Sequence, residues 1–200
     1  MAQRPFFFAA ICFLLLGWGA VALGFNMSFT WWAHQTAHPR LDDFFIHFSW
    51  LAEWAIIVVA ISIALIRDWK RGAWTGSILG IQALVVAGIK SALNAPRPIE
   101  INPSLVRLIP NLEMHHWQAF PSGHTAVAFF TMGWMAANYP KSYKYPKAIG
   151  VVLFFIAAGI GYSRMYLAQH SLVDVCAGAT IALISLSVAN LVIKKQSPHE

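Results

Sequence analysis

Hydrophobic residues in this chain fall in long runs, not in the alternating or striped patterns of a soluble fold. Six runs stand out: Phe6 to Phe25, Phe44 to Ile66, Gly72 to Leu93, Pro121 to Asn138, Ala148 to Tyr162 with an extension to Leu167, and Leu172 to Ile193. A helix crossing the hydrocarbon core of a bilayer needs about 20 apolar residues, with a range of roughly 17–25. Lipid offers no partner for exposed backbone N–H and C=O groups, so each run is expected to be helical. The pattern predicts an all-α fold, a bundle of six transmembrane helices, with residues 1–200 forming one integral-membrane domain. Only the outer stretches 26–43 and 94–120 leave room for structure outside the bilayer.

Composition narrows the class. Hydrophobic residues make up 58% of the 200 and charged residues 11%, against about 25% charged in an ordinary soluble domain. Mean hydropathy is +0.58. These values exclude a soluble globular enzyme, a disordered chain and a nucleic-acid binder of the usual kind, and no nucleic-acid partner is expected. Cys12 and Cys176 lie inside apolar runs, so a disulfide framework is not expected. The first run has Arg4 ahead of it and Ala20-Val21-Ala22 near its end, features of a secretory signal. It is long for a signal core and continues past that site, so it is read as a span.

The net charge of +6 is unevenly distributed. With six spans, Arg4, Arg67, Lys70, Arg71, Lys141, Lys144, Lys147, Lys194 and Lys195 share one side. Lys90, Arg40, Arg97, Arg107 and Arg164 fall toward the other. Nine against five places both termini in the cytoplasm. Trp31, Trp32, Trp69, Trp74 and Trp117 fall near the ends of spans, at the headgroup level that amphipathic rings favour.

Three groups of chemically able residues gather on the predicted outer face. Lys90 ends the third run and Arg97 follows just beyond it, where Pro96 and Pro98 interrupt the helix. By themselves these are ordinary interfacial cations at a helix C-terminus. Pro121-Ser122-Gly123-His124 opens the fourth run. Ser is a good N-cap, Gly permits close approach of a ligand, and a helix N-terminus attracts anions. Ser163 and Arg164 close the fifth run, with His170 and Asp174 beyond it. If the sixth helix begins near Gln169, His170 and Asp174 share a face, and the carboxylate can orient the imidazole. A carboxylate in an apolar run is a functional candidate whose partner must be named, and His170 is the named partner. Three cations, two histidines, an oriented carboxylate and a helix N-terminus are the inventory for handling a phosphoryl group.

In that order and spacing, Lys90-x6-Arg97-Pro98, Pro121-Ser122-Gly123-His124 and Ser163-Arg164-x5-His170-x3-Asp174 resemble the tripartite signature of the type 2 phosphatidic acid phosphatase superfamily. All eleven signature positions match. The six spans resemble its integral-membrane bacterial branch, and the small size and bare loops resemble the phosphatidylglycerophosphatase B type. The resemblance implies His170 as the nucleophile that forms a phosphohistidine, Asp174 as the group that holds it, and His124 as the acid for the leaving oxygen. It implies Lys90, Arg97 and Arg164 as phosphate clamps, with Ser122 and the Gly123 N–H completing the cradle. It also implies catalysis without a metal or other cofactor. The expected substrate is a lipid phosphomonoester or diphosphate (phosphatidylglycerophosphate, phosphatidic acid or undecaprenyl diphosphate), and the expected partners are that substrate and the surrounding lipids. The expected location is the bacterial inner membrane, with the site facing the periplasm or cell exterior.

Rival readings are a lipid A phosphatase of the same superfamily and a transporter or binding protein that holds an anionic lipid without catalysis. Vanadate-dependent haloperoxidase chemistry shares the signature, but this chain lacks a large soluble scaffold. Glu53, one and a half turns after His47, is read as bundle packing, and Gln82 and Asn190 as interhelical hydrogen-bond partners. Trp18, Trp50, Trp54 and Trp134 are read as packing or interface residues. Arg107 and Glu113 are candidates for headgroup recognition. His115 and His116 are adjacent, share no face of a regular element, and are read as loop or headgroup-contacting residues, not metal ligands.

Overall fold

A computed structural model of the chain describes residues 2–36, 38–52, 68–139 and 144–196. Its helices are α1 (Gln3–Ala22), α2 (Asn26–Gln35), α3 (Pro39–Ser49), α4 (Trp69–Leu93), α5 (Gly123–Asn138), α6 (Pro146–Tyr166) and α7 (Leu172–Gln196). Short helical turns lie at Trp50–Ala52, Pro98–Ile101 and Pro103–Leu105. No strand occurs among the described residues.

Four of these helices are long and apolar enough to cross a membrane: α1, α4 with its continuation to Ile101, α6 and α7. The fourth expected span is α5, and it departs from the expectation. Its 16 residues measure about 24 Å at 1.5 Å each, short of a hydrocarbon core of about 30 Å. It can be short because it is the central helix. Thr125, Ala126, Phe129, Phe130, Gly133 and Ala136 are among its buried residues, and α1, α6 and α7 pack around it. Phe129 meets Phe6 of α1 and Phe154 of α6 edge-on, with ring centroids 6.4 and 6.3 Å away. Such aromatic pairs favour an edge-to-face arrangement.

Of the second expected span, 44–66, only residues 44–52 are described. The helix starts at Pro39, not Phe44, and ends at Ser49. His38 caps it, its ring nitrogen accepting from the Arg40 N–H at 3.2 Å, and Pro39 sits at the first helical position. Residues 53–67, with Glu53 and Trp54, lie outside the described residues. The stretch 26–43, where structure outside the bilayer had room to form, holds α2 and the first turn of α3. The breaks around Lys90 and Arg97 fall where expected. α4 ends at Leu93, Asn94 adopts a left-handed conformation at φ 41°, and Pro98 opens the next turn.

Candidate active site

The three sequence groups meet where α5, α6 and α7 converge. Ser122 caps α5, its Oγ accepting from the Thr125 N–H at 3.4 Å and from Thr125 Oγ1 at 2.9 Å. The Ser122 N–H in turn donates to the Asp174 carbonyl at 2.9 Å, joining the second group to the third. Gly178 permits this approach, because a Cβ there would stand 2.4 Å from the Ser122 carbonyl oxygen. Sequence reading missed Gly178, one small residue among several in an apolar run.

The turn between α6 and α7 carries His170. The Ala168 N–H donates to the Met165 carbonyl and the Gln169 N–H to the Arg164 carbonyl, each at 2.9 Å. These are the two hydrogen bonds of a Schellman C-cap. Ala168 holds the left-handed position (φ 51°) that usually goes to Gly. A non-glycine residue there costs on the order of 1 kcal/mol. The His170 N–H also donates to the Arg164 carbonyl, at 3.1 Å, so the nucleophile candidate and one clamp candidate hang from the same carbonyl.

α7 begins at Leu172, not near Gln169, so His170 lies ahead of the helix and does not share a helical face with Asp174. Asp174 instead reaches back as in a capping box. Its Oδ2 accepts from the Ser171 N–H at 2.7 Å and from Ser171 Oγ at 3.0 Å. His170 Nδ1 is 3.6 Å from the same oxygen, an electrostatic contact too long for a hydrogen bond. The carboxylate therefore faces Nδ1, and Nε2 is the nitrogen left to act. His170 is 2% exposed and Asp174 3%. Burial pushes the imidazole down to about 4, against the pull of Asp174 and with help from Arg97 and Arg164. The ring is thus neutral near pH 7.

Two helix starts here differ in their donors. At α7, Thr30 Oγ1 takes the Leu172 N–H at 3.1 Å and Asn26 Oδ1 takes the Val173 N–H at 2.8 Å. Both acceptors come from α2, so that terminus is closed. At α5, the Gly123 and His124 N–H groups have no acceptor among the described residues. The open terminus suits an anion.

The cations are arranged to match. Arg97 is 8% exposed, and its hydrogen bonds all go to neutral oxygens. Nε donates to the Trp117 carbonyl at 3.0 Å, and Nη1 donates to the Gln169 carbonyl at 3.2 Å and to Gln169 Oε1 at 2.6 Å. Gln169 also donates from Nε2 to the Glu113 carbonyl at 3.2 Å, tying the 94–120 segment to the turn. Its role was not legible in the sequence, where it reads as one polar residue in a turn. Arg164 is 7% exposed and donates to Ser49 Oγ at 3.2 Å. Lys90 donates from Nζ to the Gln118 carbonyl. His124 lies within electrostatic reach of Arg164, His170, Arg97 and Lys90.

A cleft of about 380 Å³ opens between α4 and α5 beside this cluster. Lys90, Gly123 and His124 are in its wall together with Gln82, and the rest of the wall is Ala and Val. Gln82 is 2% exposed, and its Oε1 has no hydrogen-bond partner among the described residues, so the expected interhelical bond from that atom is not seen there. Arg107, expected near a headgroup, is instead paired with Asp42 by two bonds of 2.7 Å. His116 contacts Glu100, and His115 Nδ1 is 4.0 Å from Glu113. No cluster of three metal-ligating residues occurs among the described residues.

Helices long and apolar enough to cross a membrane surround a buried set of cations and imidazoles, a candidate site for an oxyanion. The PAP2 superfamily profile matches residues 71–198, well over half of the chain, and the chain belongs to that superfamily. It is similar to LpxE of Aquifex aeolicus, with 27% identity, a TM-score of 0.65, and coverage of 83% of this chain and 94% of that one. It is also similar in fold to a transmembrane PAP2-type phosphatidylglycerolphosphate phosphatase from Bacillus subtilis, with 20% identity, a TM-score of 0.71 and 94% of each chain covered. A comparison with curated proteins finds no match.

Proposed function

We propose that this chain is a lipid phosphate phosphatase that works through a phosphohistidine without a metal. One observation supports the reading: His124, at the open N-terminus of α5, is within electrostatic reach of Arg97, Arg164 and His170 from the other two sequence groups. In this reading His170 Nε2 attacks phosphorus, the bond from phosphorus to the lipid oxygen breaks, and His124 gives that oxygen a proton. His124 then takes a proton from the water that hydrolyses the phosphohistidine and releases phosphate. Arg97, Arg164, Lys90, Ser122 and the Gly123 N–H hold the nonbridging oxygens, where charge builds in the transition state. Asp174 faces Nδ1 and steadies the imidazolium side of the reaction.

The substrate is a lipid phosphomonoester or diphosphate that reaches the site sideways through the α4–α5 cleft. Lipid A is an equally supported substrate, because the chain is similar to LpxE, a lipid A phosphatase. We further propose one domain of six spans with both termini cytoplasmic, in a bacterial inner membrane, its site facing outward.

The test is phosphate release by purified protein in detergent or lipid with EDTA present. The panel holds phosphatidylglycerophosphate, phosphatidic acid, undecaprenyl diphosphate and lipid A. Release should survive EDTA and vanish in His170→Ala. Release that persists unchanged in both His170→Ala and His124→Ala would rule the mechanism out and favour a binding protein.

A further inference from the structure

Gln118 lies outside the three sequence groups, yet its backbone meets the first of them. The residue is exposed, and its carbonyl accepts from Lys90 Nζ. It holds a left-handed conformation, φ 58°, which residues other than glycine adopt at a cost. Such conformations persist where the surrounding structure enforces them, and they gather at functional sites. Two hydrogen bonds pair segment 95–97 with segment 116–119. The Arg97 N–H donates to the His116 carbonyl at 2.9 Å, and the Ala119 N–H donates to the Ala95 carbonyl at 3.0 Å. One side of this pairing is therefore a residue longer than the other. A bulge absorbs such an extra residue, often with one member in the left-handed region, and Gln118 is the member that takes it. In extended backbone, successive carbonyls point to opposite sides. Here three in a row serve the first group: His116 takes the Arg97 N–H, Trp117 takes Arg97 Nε at 3.0 Å, and Gln118 takes Lys90 Nζ.

We propose that Gln118 is a positioning residue, whose left-handed backbone sets Lys90 and Arg97 at the spacing an oxyanion needs. This rests on the phosphatase reading and adds how two of its clamps are aimed. Lys90 stands on α4 and Arg97 lies beyond the end of that helix at Leu93, so no single helix fixes one against the other. The 116–118 carbonyls do. They are neutral acceptors, so they direct both cations without cancelling their charge. Arg97 Nη1 also donates to Gln169, next to His170, and the same turn of backbone therefore helps to set the first group against the nucleophile candidate.

Backbone preference separates this role from one played by the side chain. Glycine takes a positive φ freely, whereas a β-branched residue there is an outlier. The probe is inorganic tungstate, a tetrahedral oxyanion, titrated calorimetrically into the full chain in detergent. Gln118→Val should bind it about tenfold more weakly, the scale of one hydrogen bond to a charged group, and Gln118→Gly should rescue the affinity. The order should repeat in kcat/KM on any lipid phosphate that the wild type hydrolyses. A lower Tm in Gln118→Val with unchanged tungstate affinity marks a structural role alone and overturns the proposal. Equal losses of affinity in Gln118→Val and Gln118→Gly assign the effect to the side chain and also overturn it. Where Gln118→Val does not fold, Gln118→Gly and Gln118→Ala decide. Wild-type affinity in both supports the backbone role, and a marked loss in either overturns it. Tungstate binding in the expected order with no lipid hydrolysed upholds the positioning of the cations, and the phosphatase reading then falls alone.

Discussion

Arg97 and Arg107 are ten residues apart in one segment, yet their surroundings are opposite. Arg107 gives both terminal nitrogens to the Asp42 carboxylate at 2.7 Å. Around that pair the Tyr166 hydroxyl lies 3.0 Å from Asp42 Oδ1 and from the His38 carbonyl. The Arg107 N–H donates to His34 Nε2 at 2.8 Å, while His34 Nδ1 donates to the Tyr166 carbonyl at 2.7 Å. Charge is neutralised and both ring nitrogens are used, so this region is a clasp holding α2, α3 and α6 to the 94–120 segment. Among the described residues Arg97 hydrogen-bonds only to carbonyl and amide oxygens, and Asp174 acts on it at longer range. Neutral dipoles fix its direction without cancelling its charge, which stays available to an anion. A cation buried among neutral acceptors is costly without a ligand, and one paired with a carboxylate is structural. The difference gives a physical reason for the distinction that the signature spacing only suggested.

The largest effect should come from Arg97→Ala. Loss of one such electrostatic donor should lower kcat/KM by ~10²–10³ with little change in Tm. Arg107→Ala should do the reverse. It leaves the Asp42 side chain, 6% exposed, without its cation, and stability should fall by about 1–2 kcal/mol while kcat/KM changes far less. Equal effects of the two variants on activity would erase the distinction. Gln169→Ala should fall between them. Arg97 keeps its charge but loses the Oε1 contact, and a drop of about tenfold in kcat/KM is expected, with Arg97→Ala unaffected by adding it.

The smallest effect is on pH. His34 must be neutral, because Nε2 accepts and Nδ1 donates, and burial holds its pKa below the ordinary value. The unfolded chain then binds the extra proton first as pH falls. The stabilisation is full above about 6.5 and declines as pH drops below it. Melting curves between pH 7.5 and about 5 should show this decline, and His34→Phe should be less stable at pH 7.5 but flatter with pH. Asp42 acts in a lower window. Its pKa is depressed by the Arg107 hydrogen bonds, so its contribution is full above the ordinary carboxylate range and declines as pH falls from about 4 toward the lowered value.

Several features were legible in the sequence for identifiable reasons. Long apolar runs demand helices in lipid, and this located α1, α4, α6 and α7 to within a few residues at most ends. The end of α6 was harder to place, because its C-cap carries Ala168 where Gly would have marked the stop. The start of α3 was missed because His38 and Pro39 precede the apolar residues that drew attention. Charged and imidazole side chains in apolar surroundings are expensive, so Lys90, Arg97, His124, Arg164, His170 and Asp174 stood out as candidates.

Tertiary structure decided which polar groups are satisfied. The sequence shows that Ser171 and Asp174 sit at capping-box spacing, but not that Asp174 uses one oxygen for the cap and faces His170 with it at 3.6 Å. It places Arg97 in a signature and Arg107 outside it, but it cannot show that a carboxylate 65 residues away claims the second. Composition and periodicity are local, and they determined the membrane environment and the candidate chemistry. Hydrogen-bond partners are chosen across long separations by packing, as at Gly178 against Ser122 and Gln169 against Arg97, and only the folded chain fixes those choices.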